Sequence, residues 1–194
     1  MIPLVLALAG YLLGSFPSGV IAARLSGRDI LKEGSGNPGA TNALRVLGPG
    51  WAIAVLLCDT GKGLLAAYLG IRLGGLAGSA LAGSGAALGH AYSLFLRGRG
   101  GKVVAVSLGV MLLWDWQAIV AALAVFLIVL AVTRIVSLGS LLAALAAAAV
   151  VSCTPVAPYL RLGVYFLVLL LIWRHRPNIV RLARGEERRL GGRG

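Results

Sequence analysis

The chain has 194 residues, of which 59% are hydrophobic and 12% are charged, and its mean hydropathy is +0.92. This composition excludes an ordinary soluble domain, in which about a quarter of the residues are charged. A helix needs about 20 apolar residues to cross about 30 Å of hydrocarbon. The sequence therefore predicts an all-α, polytopic integral membrane bundle. Because the loops between apolar runs are short, residues 1–194 are expected to form a single domain.

Seven apolar runs follow one another and predict about seven transmembrane helices; six is the alternative count. Pro17 lies in the first run and predicts a kink there. Neighbouring helices can bind the backbone carbonyl group that the proline leaves unpaired. The third run contains small residues spaced four apart, which favours close packing at the centre of the bundle. The runs are 3–23, 51–71, 75–95, 103–116, 118–134, 138–154 and 157–173.

Positive charge is distributed unevenly between the loops of the seven-span arrangement. Fifteen of the 18 Lys and Arg residues fall on one side of the membrane, and only Arg72 and Arg161 fall on the other. Cytoplasmic loops carry an excess of Lys and Arg, so the N-terminus is expected outside and the C-terminus in the cytoplasm. The net charge of +12 then lies on one face. Anionic lipid headgroups are its expected partners, and nucleic acid is not.

The most distinctive polar segment is Gly34-Ser35-Gly36-Asn37-Pro38-Gly39-Ala40-Thr41-Asn42, which follows the first run. Its glycines can adopt φ > 0 or let the backbone approach a ligand closely, and successive N–H groups in such turns form anion-binding nests. Lys32 and Arg45 add positive charge at its two ends. The segment therefore predicts a cradle for a phosphate-bearing substrate at the membrane surface. A flexible interhelical loop is the alternative, since loops are rich in the same residues.

Two nucleotide-binding motifs are excluded by their surroundings. Gly34-x-Gly36-x-x-Gly39 has the spacing of the dinucleotide fingerprint, which requires a preceding strand and a crossover helix. Here the flanking segments are apolar, membrane-like runs. Gly101-Lys102 is followed by Val103, where a Walker A motif has Ser or Thr.

Two opposite charges lie inside the second run. Asp59 and Lys62 are three residues apart and therefore share a helix face. Ionisable groups in a membrane are costly unless they pair or face the protein interior. The pair therefore predicts either a structural strut or a wall of the active site.

Three further polar segments lie on the same predicted side of the membrane as the glycine loop. One joins His90 to Gly100-Gly101-Lys102, the second contains Ser137 and Ser140, and the third is Arg174-His175-Arg176-Pro177-Asn178. Two glycine-rich loops with cations nearby suit two phosphate groups.

Several catalytic arrangements are absent from the sequence. It contains no His-x-x-x-x-Asp box, no cysteine near these loops and no carboxylate cluster suited to Mg²⁺. Glu186 and Glu187 in the tail are interpreted as solvated charges. We therefore expect no metal and no cofactor, and chemistry that depends on positioning and on cations around developing negative charge.

Together the polar segments resemble the bacterial acyl-phosphate:glycerol-3-phosphate acyltransferase family nearly from end to end. The resemblance includes the Asp59/Lys62-Gly63 element. This sequence departs from the family at Val103 and Val106, where that family commonly has Gly and Thr. The resemblance is carried by Lys32-x-Gly34-Ser35-Gly36-Asn37-x-Gly39-Ala40-Thr41-Asn42-x-x-Arg45, His90 to Gly100-Gly101-Lys102, Ser137-x-x-Ser140 and Arg174-His175-Arg176-x-Asn178-Ile179-x-Arg181-Leu182.

The resemblance implies transfer of a fatty acyl group from acyl phosphate to the sn-1 hydroxyl of glycerol 3-phosphate. The products would be lysophosphatidic acid and phosphate, in the first step of phospholipid synthesis. It also implies a multi-pass protein of the bacterial inner membrane with a cytoplasmic active site. Its partners would be the two substrates and membrane lipids, without an obligate protein partner.

The resemblance further implies roles for individual residues. Arg45 and Lys102 would bind phosphate. The glycines at 36, 39, 100 and 101 would form nests. The implied catalytic residues are Ser35, Arg45, Lys102, His175 and Asn178. The implied substrate-binding residues are Gly34, Gly36, Asn37, Gly39, Thr41, Asn42, His90, Gly100, Gly101, Ser137 and Ser140.

Two questions stay open at this point. The proton of the attacking hydroxyl could pass to an oxygen of the donor phosphate or to His175, whose imidazole has a suitable pKa for a general base. A transporter or flippase for a phosphate-bearing lipid or metabolite is the alternative function. Such proteins usually have inverted repeats and broken helices at mid-membrane, whereas these motifs lie at one face.

Overall fold

The computed structural model describes residues 1–191. Within that range the chain forms nine α-helices, one short 3₁₀ helix (Leu94–Leu96) and no strand, so the all-α prediction is confirmed. The α-helices are α1 (Ile2–Ser15), α2 (Ser18–Leu25), α3 (Ala40–Val46), α4 (Pro49–Ala91), α5 (Val104–Trp114), α6 (Trp116–Thr133), α7 (Val136–Cys153), α8 (Pro158–Arg174) and α9 (Arg176–Ala183).

All seven predicted apolar runs are helical, although their boundaries shift by a few residues. By length and composition, four helical stretches could cross a membrane, whereas α5 and α8 are shorter, with 11 and 17 residues. The count of seven spans and their orientation therefore stay predictions. The four long stretches are Ile2–Leu25, Pro49–Leu96, Trp116–Thr133 and Val136–Cys153.

Helix α4 is a hairpin, and it contains two of the predicted runs. The backbone leaves the helical conformation at Gly74 and Gly75, and Gly75 has φ 60° and ψ −155°, a combination open essentially to glycine. The chain then folds back, because a Cβ at Gly70 would lie 2.4 Å from the carbonyl oxygen of Gly78. Below, residues 49–73 are the first arm of α4 and residues 76–91 the second arm.

Helix α1 packs against the second arm of α4 at positions that lack a side chain. A Cβ at Gly10 would lie 2.0 Å from the carbonyl oxygen of Ala82, and a Cβ at Gly14 would lie 2.0 Å from that of Ala86. Small residues allow helices to approach this closely in lipid. Most of the second arm is buried, which confirms the predicted central packing of run 75–95.

The kink predicted at Pro17 is present between α1 and α2, and the buried ion pair of α4 stabilises it. Lys62 Nζ donates to the carbonyl oxygen of Phe16 at 3.0 Å. Ser18 Oγ donates to Asp59 Oδ1 at 2.6 Å, and Lys62 Nζ lies 2.8 Å from the same oxygen. The Asp59–Lys62 pair is therefore a structural strut between the α1–α2 break and the first arm of α4, and Asp59 also lines the cavity described below.

The antiparallel order of the helices brings most of the polar connections to one end of the bundle. That end, called the polar end below, holds the loop after α2, the loop after the second arm of α4, the α6–α7 turn and the chain after α8. These connections comprise residues 26–48, 92–103, 134–135 and 175–191.

The contact at Gly14 provides a test of the packing. Gly14→Ala should lower the free energy of unfolding by about 1–3 kcal/mol, because its methyl group must displace the backbone at Ala86. Gly61→Ala is the matched control, since Gly61 is exposed and nothing lies within 4 Å of its Cβ position; it should be neutral or slightly stabilising. Thermal unfolding in detergent measures both. Equal midpoints for the two variants would contradict the packing.

Candidate active site

A cavity of about 1100 Å³ opens at the polar end. All four polar segments noted in the sequence contribute to its lining, so residues far apart in the chain meet there. Gly101 is the exception among the predicted site residues, because it lies behind the cavity wall. The predicted residues that line the cavity are Gly34, Ser35, Gly36, Asn37, Gly39, Thr41, Asn42, Arg45, His90, Gly100, Lys102, Ser137, Ser140, His175 and Asn178.

The first glycine loop is held in shape by the side chain of Asn42, which is 2% exposed. Asn42 Oδ1 accepts a hydrogen bond from the backbone N–H of Ser35 at 2.8 Å. Its Nδ2 donates to the carbonyl oxygens of Ile30 and Glu33 at 3.2 and 3.0 Å. A Cβ at Gly34 would lie 2.2 Å from Asn42 Oδ1. The Asn42 amide therefore binds the loop itself and has little capacity left for a substrate.

The glycines of the predicted nests differ in conformation. Gly34 and Gly36 have φ of 62° and 68°, as an anion-binding nest requires. Gly39 instead has φ −81° and precedes α3 as its N-cap. Its N–H donates to Asn37 Oδ1 at 2.9 Å, forming an Asx turn. Left-handed backbone in this loop is thus confined to its first half.

The second glycine loop is packed against His90. The N–H of Gly101 donates to the carbonyl oxygen of His90 at 2.9 Å. A Cβ at Gly100 would lie 2.2 Å from that carbonyl oxygen, and one at Gly101 would lie 2.1 Å from the His90 ring. Neither residue has positive φ. Glycine is therefore required here for close packing on His90, and the expected nest conformation is wrong for these two positions.

Arg174 also binds this second glycine loop, through two hydrogen bonds. Its Nε donates to the carbonyl oxygen of Gly101 at 3.0 Å and its Nη2 to that of Gly100 at 2.8 Å. The guanidinium also lies over the Tyr92 ring, 5.0 Å from its centroid. Because the next residue is Lys102, these contacts fix the position of its side chain at the cavity.

Lys102 and Arg45 are two of the cavity-lining cations for which no ion-pair partner is found among residues 1–191; Arg99, Arg174, Arg176 and Arg188 are the others. Burial lowers the pKa of Lys102 to about 8, although the nearby Glu187 carboxylate acts in the opposite direction. Burial also lowers the pKa of Arg45, which stays charged at neutral pH. Lys32, expected at the same site, is 84% exposed and pairs with Asp29.

Glu187 is a site residue that sequence reasoning missed. Its side chain is 8% exposed, so the interpretation as solvated charge is wrong for Glu187. Its Oε1 accepts from Ser137 Oγ at 2.8 Å and from Asn178 Nδ2 at 2.5 Å, and its Oε2 accepts from Arg181 Nε at 2.7 Å. Burial favours a higher pKa for this carboxyl, but the three hydrogen bonds together lower it below its ordinary value.

A local signal for this arrangement exists in the sequence. Gly185 follows α9 with φ 71° and turns the chain back, and the N–H of Glu186 donates to the carbonyl oxygen of Arg181 at 2.8 Å. Farther on, the N–H of Leu190 donates to the carbonyl oxygen of Arg134 at 2.6 Å. A glycine soon after Asn178 is therefore the feature of the sequence that could have predicted a turn returning the tail to the site.

The Glu187 carboxylate also determines which way the amide of Asn178 faces. A carboxylate can only accept, so Nδ2 must point to Glu187 and Oδ1 must point away from it. Within the described residues Asn178 Oδ1 is buried without a hydrogen-bond partner. Asn178 lines the cavity, so an acceptor without a partner lies buried in its wall, and Ser107 Oγ is a second such atom among the lining residues. Ser140, by contrast, donates its hydroxyl to the carbonyl oxygen of Val136 in its own helix at 2.9 Å.

His175 lies between α8 and α9 and is 2% exposed. Its Nδ1 lies 2.9 Å from the carbonyl oxygen of Leu171, and because a carbonyl only accepts, Nδ1 carries the proton. Burial and then the charge of Lys102 lower the pKa of His175 to about 4. The ring is therefore neutral at pH 7, with Nε2 as an acceptor.

The inner part of the cavity is apolar. Its walls come from α5, α6, α7 and α8, with the first arm of α4 at one side. Representative lining residues are Leu56, Leu108, Met111, Ile119, Ala122, Phe126, Ala143, Ala147 and Leu171. A group of cations at the mouth thus continues into an apolar chamber.

These features define a class of protein: a helical membrane protein in which one cavity joins glycine loops and cations at its mouth to an apolar chamber within the bundle. The chain belongs to the glycerol-3-phosphate acyltransferase family, whose family model matches residues 4–185.

Curated relatives named glycerol-3-phosphate acyltransferase match nearly the whole chain. The protein of Symbiobacterium thermophilum is 48% identical over 185 residues, which cover 95% of this chain and 93% of the relative. The protein of Desulforudis audaxviator is 44% identical over 184 residues, which cover 94% of this chain and 93% of the relative.

Two crystal structures of PlsY (YgiH), described as an integral membrane glycerol 3-phosphate acyltransferase, share the fold. The glycerol 3-phosphate form has a TM-score of 0.93 and the lysophosphatidic acid form one of 0.91, both at 34% identity. Each covers 97% of this chain, and the matches span 96% and 95% of the PlsY chains. The predicted helical, integral membrane fold is thereby confirmed.

The network around Glu187 provides a test within the tail. Glu187→Ala should lower the free energy of unfolding by about 1–3 kcal/mol, because buried donors on Ser137 and Asn178 lose their acceptor. Glu186→Ala is the matched control, since its side chain is exposed and the change should stay within about 0.5 kcal/mol. Thermal unfolding in the same detergent compares the two. A control variant as unstable as Glu187→Ala would contradict the assignment.

Proposed function

We propose that this chain transfers a fatty acyl group from acyl phosphate to the sn-1 hydroxyl of glycerol 3-phosphate, releasing lysophosphatidic acid and phosphate. Family membership supports the reaction, and so do the glycerol 3-phosphate and lysophosphatidic acid forms of PlsY. The observation that carries the proposal is the cavity, in which Arg45 and Lys102 lie at the mouth of an apolar chamber. Such a site suits a reaction between one water-soluble anion and one lipid.

The choice of acyl phosphate as donor rests on the number of anion sites. Glycerol 3-phosphate and acyl phosphate each carry a phosphate group, and the cavity wall contains two separate glycine loops with a cation beside each. Arg45 follows the first loop and Lys102 follows the second. Acyl phosphate is an activated anhydride with phosphate as leaving group, so cations near that phosphate would stabilise charge as it develops.

The roles of the remaining polar groups follow from their hydrogen-bonding capacity. Asn178 Oδ1 is an acceptor without a hydrogen-bond partner in the wall, so it would orient the attacking hydroxyl by accepting a hydrogen bond from it. Ser35, whose backbone is fixed by Asn42, would contact a phosphate group. Gly34 and Gly36 would give the loop the left-handed backbone that brings Ser35 to the anion, while the N–H of Gly36 itself donates to the carbonyl oxygen of Glu33 at 3.0 Å.

Two acceptors compete for the proton of the attacking hydroxyl. One is an oxygen of the donor phosphate, and the other is His175 Nε2, which is free because Nδ1 carries the ring proton. The two versions differ in the effect of His175→Gln. Loss of turnover with unchanged glycerol 3-phosphate binding would favour His175, and residual turnover would favour the phosphate oxygen.

The proposed location is the bacterial inner membrane, with the polar end in the cytoplasm. The uneven distribution of Lys and Arg supports this orientation. Both water-soluble compounds, glycerol 3-phosphate and released phosphate, would then exchange with the cytoplasm while the acyl product stays in the inner leaflet.

The direct test uses purified protein, acyl phosphate and labelled glycerol 3-phosphate, with lysophosphatidic acid as readout. Arg45→Ala should lower kcat/KM by about 100-fold or more, as expected for loss of a charge-stabilising group. Arg72→Ala is the matched control, because Arg72 is predicted on the opposite side of the membrane and contacts Tyr68. Acyl-CoA should not replace acyl phosphate. Failure to form lysophosphatidic acid, together with protein-dependent movement of the substrate across vesicles, would support a transporter instead.

The lowered pKa of Lys102 predicts a pH limit for the reaction. As pH rises through about 8, Lys102 loses its proton, and kcat/KM for glycerol 3-phosphate should fall about tenfold per further pH unit. Lys102→Arg keeps its charge throughout this range, so its residual activity should show no fall near pH 8. His175, with a pKa of about 4, is neutral over the whole range and adds no change. If kcat/KM fell equally above pH 8 in both proteins, a group other than Lys102 would be responsible for the pH limit.

A further inference from the structure

The apolar chamber ends at a defined depth. Along α5 the last residue that lines it is Met111, along α7 it is Ala147, and along α6 the lining begins at Ile119. Phe126 of α6 lies against Gly139 of α7. In this antiparallel pair, Ile119 is therefore at the level of Ala147 to within a residue.

A layer of packed side chains closes the chamber beneath these three residues. Trp114, Ala118 and Val151 belong to the same hydrophobic core and are between 0% and 6% exposed. The Trp114 ring lies against Gly163, and its Nε1 donates to Ser79 Oγ at 2.9 Å. None of these three residues lines the cavity, so its lining ends above this layer.

The wall between the polar site and the floor is formed by small side chains of α7. Ala143, Ala144 and Ala147 all line the chamber and follow Ser140 at the polar site. Seven residues separate Ser140 from Ala147, which corresponds to about 10 Å along the helix. An extended hydrocarbon chain that begins at the polar site would pass these alanines before it reaches the floor.

A side opening connects the same chamber to the outside of the bundle. Ile53 and Leu56 on the first arm of α4 and Leu123 on α6 line the chamber, yet they are 58%, 41% and 43% exposed. In a membrane these residues would face lipid. An acyl chain could therefore enter sideways from the bilayer, and its end has two possible destinations, the floor or the side opening.

We propose that the floor formed by Met111, Ile119 and Ala147 sets the longest acyl chain that this protein accepts, and that Ala147 is the position that determines it. Ala147 has the smallest side chain of the three and is 2% exposed. It therefore leaves space at the level where the other two narrow the chamber. The inference rests on the proposed acyl-transfer function and adds to it a specificity for acyl-chain length.

The experiment measures kcat/KM for a series of acyl phosphates that increase in two-carbon steps. Ala147→Leu should lower kcat/KM for the longest accepted chains about tenfold or more, because the added side chain fills the space at the floor and would have to share it with the end of the acyl chain. The shortest chains should change by less than about twofold. Ala149→Leu is the matched control, since Ala149 is an exposed alanine on the same helix; its profile should match that of the parent protein.

Met111→Ala tests the floor from the opposite direction and keeps the inference testable if Ala147→Leu fails to fold. Removal of this side chain should extend the accepted range by about two carbons or more. An unchanged chain-length profile in a folded, active variant would overturn the inference and direct the chain to the side opening. Absence of lysophosphatidic acid with every donor, in the parent protein as well, would instead overturn the proposed function.

Discussion

Close approach of backbone to backbone is the constraint on which the rest of this structure depends. Lipid supplies no hydrophobic force between helices, so association depends on packing and on hydrogen bonds. Gly14 meets the backbone at Ala86, and Gly63 meets the backbone at Val106, where a Cβ would lie 2.3 Å from a carbonyl oxygen. Gly101 lies equally close to a side chain, the ring of His90, where a Cβ would lie 2.1 Å from Nε2. Glycine thus allows the helices to pack closely, and it also allows the loop that carries Lys102 to pack against His90.

The site is built from charges whose burial has to be compensated. Deeper in the bundle, Asp59 and Lys62 compensate each other, and each also binds the α1–α2 break. At the polar end the positive charge exceeds the negative charge, and Glu187 neutralises only part of it. Lys102 and Arg45, which are among the cavity cations without an ion-pair partner in the described residues, are therefore available to an anionic ligand. A structural ion pair and a functional imbalance of charge coexist within the same bundle.

Much of this arrangement could be predicted from the sequence. The seven apolar runs are helical, the proline kink is present, and the four polar segments line one cavity. The differences concern contacts that the order of adjacent residues in the sequence does not reveal. Gly101 packs behind the wall, the amide of Asn42 binds its own loop, and Glu187 is buried among donors from α7 and α9.

The sequence by itself determined the helical membrane class, the kink and the family, because hydropathy, proline and an extended motif are read from neighbouring residues. Only the tertiary structure decided that two apolar runs form one hairpin and that Glu187 orients Asn178. It also decided where the chamber ends. These features depend on contacts that only folding creates, including the hydrogen bond between Ser137 and Glu187, which are 50 residues apart, and such contacts have no local pattern. Composition could identify a tail of mixed charge, but only folding brought one of its carboxylates into the site.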